Sequence, residues 1–263
     1  MILQIYLEGD SSVRRAFRVR MAAKSILMDP ANGRADPAVD AAAGSLVEAA
    51  YARLRKDIIF GDLEPGLKLR IDDLRSRYGL GATPLREALA RLSATGLVQA
   101  TSQRGFRVTH VSAADLDDVT ESRVSLETEL LRASIENGDD AWEARVAGTF
   151  HTLAKMEAQG LPLDVDTFTR WEHRNRAFHE ALIDCATSRW TQLFRATIYD
   201  HHERYRRIAH LIAKRAPEVR REHKQLCEAA LARDVTTAVR VAAQHIRRTG
   251  HAIRSRLELL ARG

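Results

Sequence analysis

Gly81-Ala82-Thr83-Pro84-Leu85-Arg86-Glu87-Ala88-Leu89-Ala90-Arg91-Leu92 decides how the first part of this 263-residue chain folds. Thr83 before Pro84 reads as a helix start, with Thr83 as N-cap and Pro84 at the first helical position, where a missing N–H is tolerated. Thr83, Arg86 and Glu87 then lie on the first turn of that helix. The expected helix runs to about Thr95 and stops at Gly96.

Working outward, Ser45 with Glu48 three residues on has capping-box spacing. Leu46, Ala49, Ala50, Leu54 and Ile58 then form an apolar stripe, predicting a helix over 45–60. Gly61 ends it and Pro65-Gly66 turns the chain. Asp72–Tyr78 reads as a short helix closed by Gly79, followed by a brief link into the Thr83 helix. Beyond Gly96, Leu97–Ala100 and Phe106–Thr109 read as two short strands joined through Thr101–Gly105. Helix, helix, tight turn, helix and two-stranded wing is the order of a winged helix-turn-helix. Pattern alone is equally compatible with a small structural α+β module.

From Ala113 the chain is repeatedly amphipathic, with helices expected near 113–137, 140–159, 165–186, 188–213, 217–232 and 235–261. Gly138, Gly160-Leu161-Pro162 and Pro217 punctuate them, and no strand pattern appears. The expected fold class is mainly α, a winged domain followed by an antiparallel helical bundle. The expected domains are 45–110 and 111–263. Residues 1–44 lack a sustained period and read as a disordered tail; their order of apolar and basic runs is wrong for a secretory signal.

Charge and cysteine content narrow the partners. The net charge is +6, and residues 45–110 hold 11 Lys/Arg against 7 Asp/Glu, while 111–263 hold 24 against 23. A local cationic surplus suits double-stranded DNA. Only Cys185 and Cys227 are present, which argues against a disulfide framework. No window is apolar enough to span a membrane, so a cytoplasmic protein is expected.

The candidate DNA contacts are Thr83, Arg86 and Glu87 on the first turn of the reading helix, Arg70 before the preceding helix, and Arg104 with Gly105 at the wing. Arg86 has the reach for a bidentate contact to guanine, while Arg70 and Arg104 suit backbone or minor groove. Ordinary solvated charge is the alternative for each.

Three histidines fall on apolar stripes of the second half. Phe168, Trp171, Asn175, Phe178 and Leu182 step by three and four, and His179 lies one turn after Asn175. Val219, His223, Leu226 and Ala230 place His223 inward. In one straight helix His245 would lie about 33 Å from His223. A turn near Arg233-Asp234, with Asp234 as N-cap, brings both to similar heights in an antiparallel hairpin. Asn175, His179, His223 and His245 are therefore candidate ligands for a divalent metal, zinc or nickel, with positions left open. Core histidines bonded to their neighbours are the alternative, and that reading is given to the other seven. Arg123 is inward-compatible and either receives an effector carboxylate or pairs with Glu127 one turn on.

Gly61-Asp62-Leu63-Glu64-Pro65-Gly66, Leu69-Arg70, Leu74, Thr83–Leu89, Leu92, Gly96-Leu97-Val98 and Arg104-Gly105-Phe106 together resemble the GntR-family DNA-binding domain. Arg123 with Glu127, Phe178-His179, Glu222-His223, Asp234 and His245 resemble the FCD-type ligand-binding domain of the FadR subfamily. Gly138–Glu143 is similar to repressors that sense glutarate and related dicarboxylates. One departure stands out: family members commonly carry a base-reading Arg where this chain has Ala82, so that contact does not transfer. At the place of Asn175 the family often has Asp.

The resemblance implies a homodimeric transcription factor, not an enzyme, that binds a palindromic operator as a repressor and is relieved by a small organic acid. A metal-dependent hydrolase is the alternative of a different class, since three histidines around an open metal also describe catalytic zinc. The chain has no HExxH run, nucleophile elbow or phosphate-binding loop.

Overall fold

Leu54, Leu85, Leu89 and Leu92 are each fully shielded from solvent and form the centre of the first of two apolar cores. The structure, a computed structural model, describes residues 46–101, 105–160, 164–209 and 212–260. The tail 1–44, Ser45, Arg104, Leu161-Pro162 and His210 lie outside the described residues.

The first core is built by α1 (Leu46–Phe60), β1 (Lys68–Leu69), α2 (Ile71–Tyr78), α3 (Ala82–Ala94), β2 (Val98–Thr101) and β3 (Gly105–Val108). α2 ends on Gly79, whose φ of 67° closes the helix in the left-handed region that glycine adopts freely. Asp57 on α1 accepts from Arg77 at 2.6 Å and from the Tyr78 hydroxyl at 2.7 Å, fastening the end of α2. Expected helix and strand positions hold to within a few residues. Two details differ. α3 begins at Ala82 with Gly81 as N-cap and no side-chain cap bond, so Thr83 is a first-turn residue and not the cap. Pro84 still falls in that first turn, where its N–H would have no helical partner. The sheet also has a third strand: β1 pairs antiparallel with β3, giving the order β1-β3-β2.

The helical bundle comprises α4 (Ala113–Asn137), α5 (Asp140–Glu157), α6 (Val165–Ala181), α7 (Arg189–Ala209), α8 (Ile212–Leu231) and α9 (Val235–Leu260). Asp139, Asp164 and Asp234 cap α5, α6 and α9 by accepting backbone N–H bonds at 2.8, 2.8 and 3.0 Å. Pro217 does not separate two helices; it lies inside α8, near its start, where it removes a single backbone bond. α8 closes with the Asp234 N–H on the Ala229 carbonyl and the Arg233 N–H on that of Ala230. Arg233 takes φ 57°, the position glycine usually fills in this closure. Its guanidinium is held by Glu143 at 2.6 Å and the Ile135 carbonyl at 2.6 Å, over the Trp142 ring. Those contacts offset the backbone strain and fix the α8–α9 hairpin that the histidines require. No helix among the described residues is long and apolar enough to cross a membrane.

By internal contacts the chain divides into two units. One takes the described residues up to Ser112, with Glu203–Ile208 and the chain from Leu257; the other takes Ala113–His202 and Ala209–Arg256.

Candidate functional sites

In the winged unit the burial of Leu85, Ala88, Leu89 and Leu92 turns the rest of α3 outward. Thr83, Arg86 and Glu87 are all exposed, and so is Arg70 just before α2. Arg75 and Arg77 on α2 pair with Asp72 and Asp57. Glu48 accepts from Arg91 at 2.7 Å. Gly105 faces Thr101 across the strand pair, and a Cβ there would lie 2.8 Å from the Thr101 hydroxyl. A glycine at this place lets the two strands close tightly beside the wing tip.

The bundle brings its three predicted histidines together. Suitable nitrogens of His179 on α6, His223 on α8 and His245 on α9 all lie within 4.8 Å of one another. The rings are buried at 4%, 0% and 6% exposure, with His223 and His245 centroids 4.8 Å apart. Each outer nitrogen of two rings is held by a carboxylate. His223 Nδ1 is 2.9 Å from Glu157 Oε1, which also accepts from the Trp171 indole at 3.1 Å. His245 Nδ1 is 2.8 Å from Glu222, whose other oxygen takes Arg248 at 3.0 Å. The inner Nε2 atoms of His179 and His223 are buried without a hydrogen-bond partner, as is Asn175 Oδ1. Asn175 Nδ2 donates to the Tyr199 hydroxyl at 3.2 Å, so its carbonyl is the end left over.

Burial holds the His179 ring far below the ordinary imidazole range, with Arg123, His245, His223 and Arg195 pushing the same way. Burial also takes His245 down to about 4, against the opposing pull of Glu222. Neutral rings carry lone pairs, and carboxylates on the outer nitrogens aim those lone pairs inward. Unsatisfied buried acceptors are costly, and this set of them is of the kind that holds a divalent transition metal.

Arg123 lies in the same bundle at 1% exposure. Of its two expected roles the ion pair is formed: Nε and Nη2 donate to Glu127 at 2.9 and 3.2 Å. Burial alone would raise the Glu127 carboxyl, but Arg123 and Arg195 outweigh it and hold it below its ordinary value. Glu157, Arg195 and Tyr199 were not singled out from the sequence, and Glu222 entered only beside His223 in the family resemblance. Glu157 had a signal there, since it continues the inward stripe Val146, Phe150, Leu153.

Comparison with known proteins agrees with both halves. Residues 46–108 match the bacterial regulatory proteins of the gntR family, and residues 118–248 match the FCD domain. An uncharacterized HTH-type transcriptional regulator, BphR of Paraburkholderia xenovorans, is 43% identical over 81% of this chain and 86% of its own. The HTH-type transcriptional repressor GlaR of Escherichia coli is 36% identical over 74% of this chain and 90% of its own. Among solved structures, E. coli McbR/YncC matches with TM-score 0.68 at 21% identity, covering 81% of this chain and 99% of that one, which speaks to the fold. These relatives are transcriptional regulators, so the hydrolase alternative is set aside. The chain belongs to the gntR family of bacterial regulatory proteins, and its helical half is an FCD domain of the FadR type.

Proposed function

We propose that this regulator is a cytoplasmic, homodimeric repressor whose domain 45–110 binds a palindromic operator and whose domain 111–263 binds a divalent ion, zinc or nickel, and a small organic acid. The observation that carries the reading is the buried trio His179, His223 and His245, in which the inward Nε2 atoms of His179 and His223 lack partners. Asn175 would add its carbonyl oxygen to the three imidazoles. When bound, the ion supplies a Lewis-acidic position that a carboxylate can share with water.

Support for repression is that the GlaR relative is a transcriptional repressor, and support for an acid ligand is the buried arginine pair Arg123 and Arg195 beside the histidines. A dicarboxylate such as glutarate fits the Gly138–Glu143 resemblance. A dimer suits the short reach of a single α3, because a two-fold pair reads both halves of an inverted repeat. Thr83, Arg86 and Glu87 would face the bases, with Arg70, Arg104 and Gly105 along the backbone. An acid can alter operator affinity only by favouring one dimer geometry over another.

The test is operator binding by the full chain on DNA selected in vitro, with and without organic acids. The acid should weaken binding, and Arg86→Ala should weaken it by about 1–3 kcal/mol at unchanged melting temperature. Unchanged operator affinity in Arg86→Ala removes α3 as the reader; affinity indifferent to every acid removes the effector reading.

A further inference from the structure

Arg123 and Arg195 look equivalent by burial, at 1% and 3% exposure, and both bind Glu127. Their hydrogen bonds separate them. Arg123 has all three nitrogens engaged: Nε and Nη2 on the two Glu127 oxygens, and Nη1 with His202 Nδ1 at 3.0 Å. Arg195 places only Nε on Glu127 Oε1, at 3.0 Å. Its Nη1 is 4.0 Å from the exposed Glu180, and its Nη2 is buried with no hydrogen-bond partner.

The charge balance of this cluster points the same way. Two guanidinium groups share one buried carboxylate, and the second carboxylate near Arg195, that of Glu180, is exposed and 4.0 Å away. Arg176 also stacks on Tyr199, but it has its own partner in Asp200 at 2.7 Å. A buried cation whose outer edge has no acceptor is stabilised by a bound anion. The guanidinium fork matches a planar carboxylate.

The place of that open edge is set by Tyr199. The Arg195 guanidinium lies over the Tyr199 ring at 4.3 Å, and the Tyr199 hydroxyl takes Asn175 at 3.2 Å. Tyr199 and His179 ring centroids are 6.4 Å apart, and His179 Nδ1 is 3.8 Å from Glu127. Arg195 therefore belongs to the same buried neighbourhood as the unpartnered atoms of Asn175, His179 and His223.

We propose that Arg195, through its Nη1/Nη2 edge, makes the direct hydrogen bonds to the effector's carboxylate, and that Arg123 is the strut that holds Glu127 and thereby the Arg195 plane. This rests on the acid-effector reading above and specifies which side chain carries it. The ligand class is a small carboxylic acid that reaches Arg195 with one carboxylate and the histidine cluster with another polar group.

Calorimetric titration of the full chain with succinate, glutarate and citrate tests it, in wild type, Arg195→Lys, Arg195→Gln and Arg123→Lys, with metal content and melting temperature measured on each. Arg195→Lys keeps the charge and the stem over Tyr199 but loses the fork. It should retain wild-type metal content and bind the acid about tenfold more weakly or worse. Arg195→Gln should be weaker still, and Arg195→Lys carries the test if Arg195→Gln does not fold. Arg123→Lys should lower the melting temperature of the unliganded chain more than the Arg195→Lys change does. Wild-type affinity in both Arg195 variants overturns the anchor while leaving the acid reading in place. So does a loss of affinity confined to Arg123→Lys at unchanged melting temperature. No saturable binding of any of the three acids to wild type overturns the acid reading and the anchor with it.

Discussion

Between Leu46 and Ser112 the described residues bury no polar or charged side chain, whereas between Thr120 and His245 the buried set includes Arg123, Glu127, Glu157, Asn175, His179, Arg195, Glu222, His223 and His245. The winged core is dry because its task is shape: Leu85, Ala88, Leu89 and Leu92 anchor α3 so that Arg86 faces outward. The bundle core is polar although apolar packing would be the easier way to stabilise it. Buried ion pairs seldom outperform hydrophobic contacts of the same volume, and buried polar atoms without partners are unfavourable. A core that keeps them departs from the pattern that stability alone would favour, and such departures mark functional sites.

Removing one member of the bundle's ion cluster should have the largest effect. Glu127→Gln leaves Arg123 and Arg195 buried without their shared carboxylate and should destabilise the helical half by about 3–5 kcal/mol. Urea unfolding followed by Trp171 and Trp142 fluorescence reads it. A loss under about 1 kcal/mol would mean that solvent or a counterion already serves the arginines, and the contrast between the cores would weaken.

In the dry core the comparable change is a cavity. Leu89 is fully buried, so Leu89→Ala should cost about 2–5 kcal/mol, read by thermal unfolding followed by circular dichroism. It should weaken operator binding while leaving acid binding intact. Loss of both together would break the division of tasks between the cores.

Glu157→Gln is subtler. Glu157 Oε1 is shared between His223 and the Trp171 indole, and an amide keeps the volume while removing the charge. Outer carboxylates of this kind contribute about 10–100-fold to metal affinity. A competition titration with a chelating dye should show that loss with little change in melting temperature. Equal affinity would make Glu157 a packing residue only.

How far these features were legible in the sequence depended on local signal. The α8–α9 hairpin was readable because Asp234 is a cap and the spacing on either side of Arg233-Asp234 is nearly equal, so three histidines far apart in sequence could be placed together. β1 was not readable: two residues between a turn and a helix carry no period. The true start of α3 was hidden because Thr-Pro imitates a cap and first helical residue, while Gly81, with no side chain to offer, holds the cap position. Arg195, Tyr199 and His202 step by four and three on one face of α7. Amphipathic reading sends such a polar face to solvent, and only the packing of Glu127 and Asn175 against it shows that it is interior.

A ligand site built around three histidines in the polar core of the bundle requires that the full chain hold a divalent ion there. Elemental analysis of the full chain after titration with zinc or nickel and gel filtration tests it most directly, on wild type and on the combined His179→Ala, His223→Ala, His245→Ala variant. Wild type should retain one divalent ion per chain and the triple variant none, with operator binding of the winged half preserved in both. Wild type that retains no ion after titration would contradict a metal site, and the three histidines would then be a polar cluster satisfied within the core.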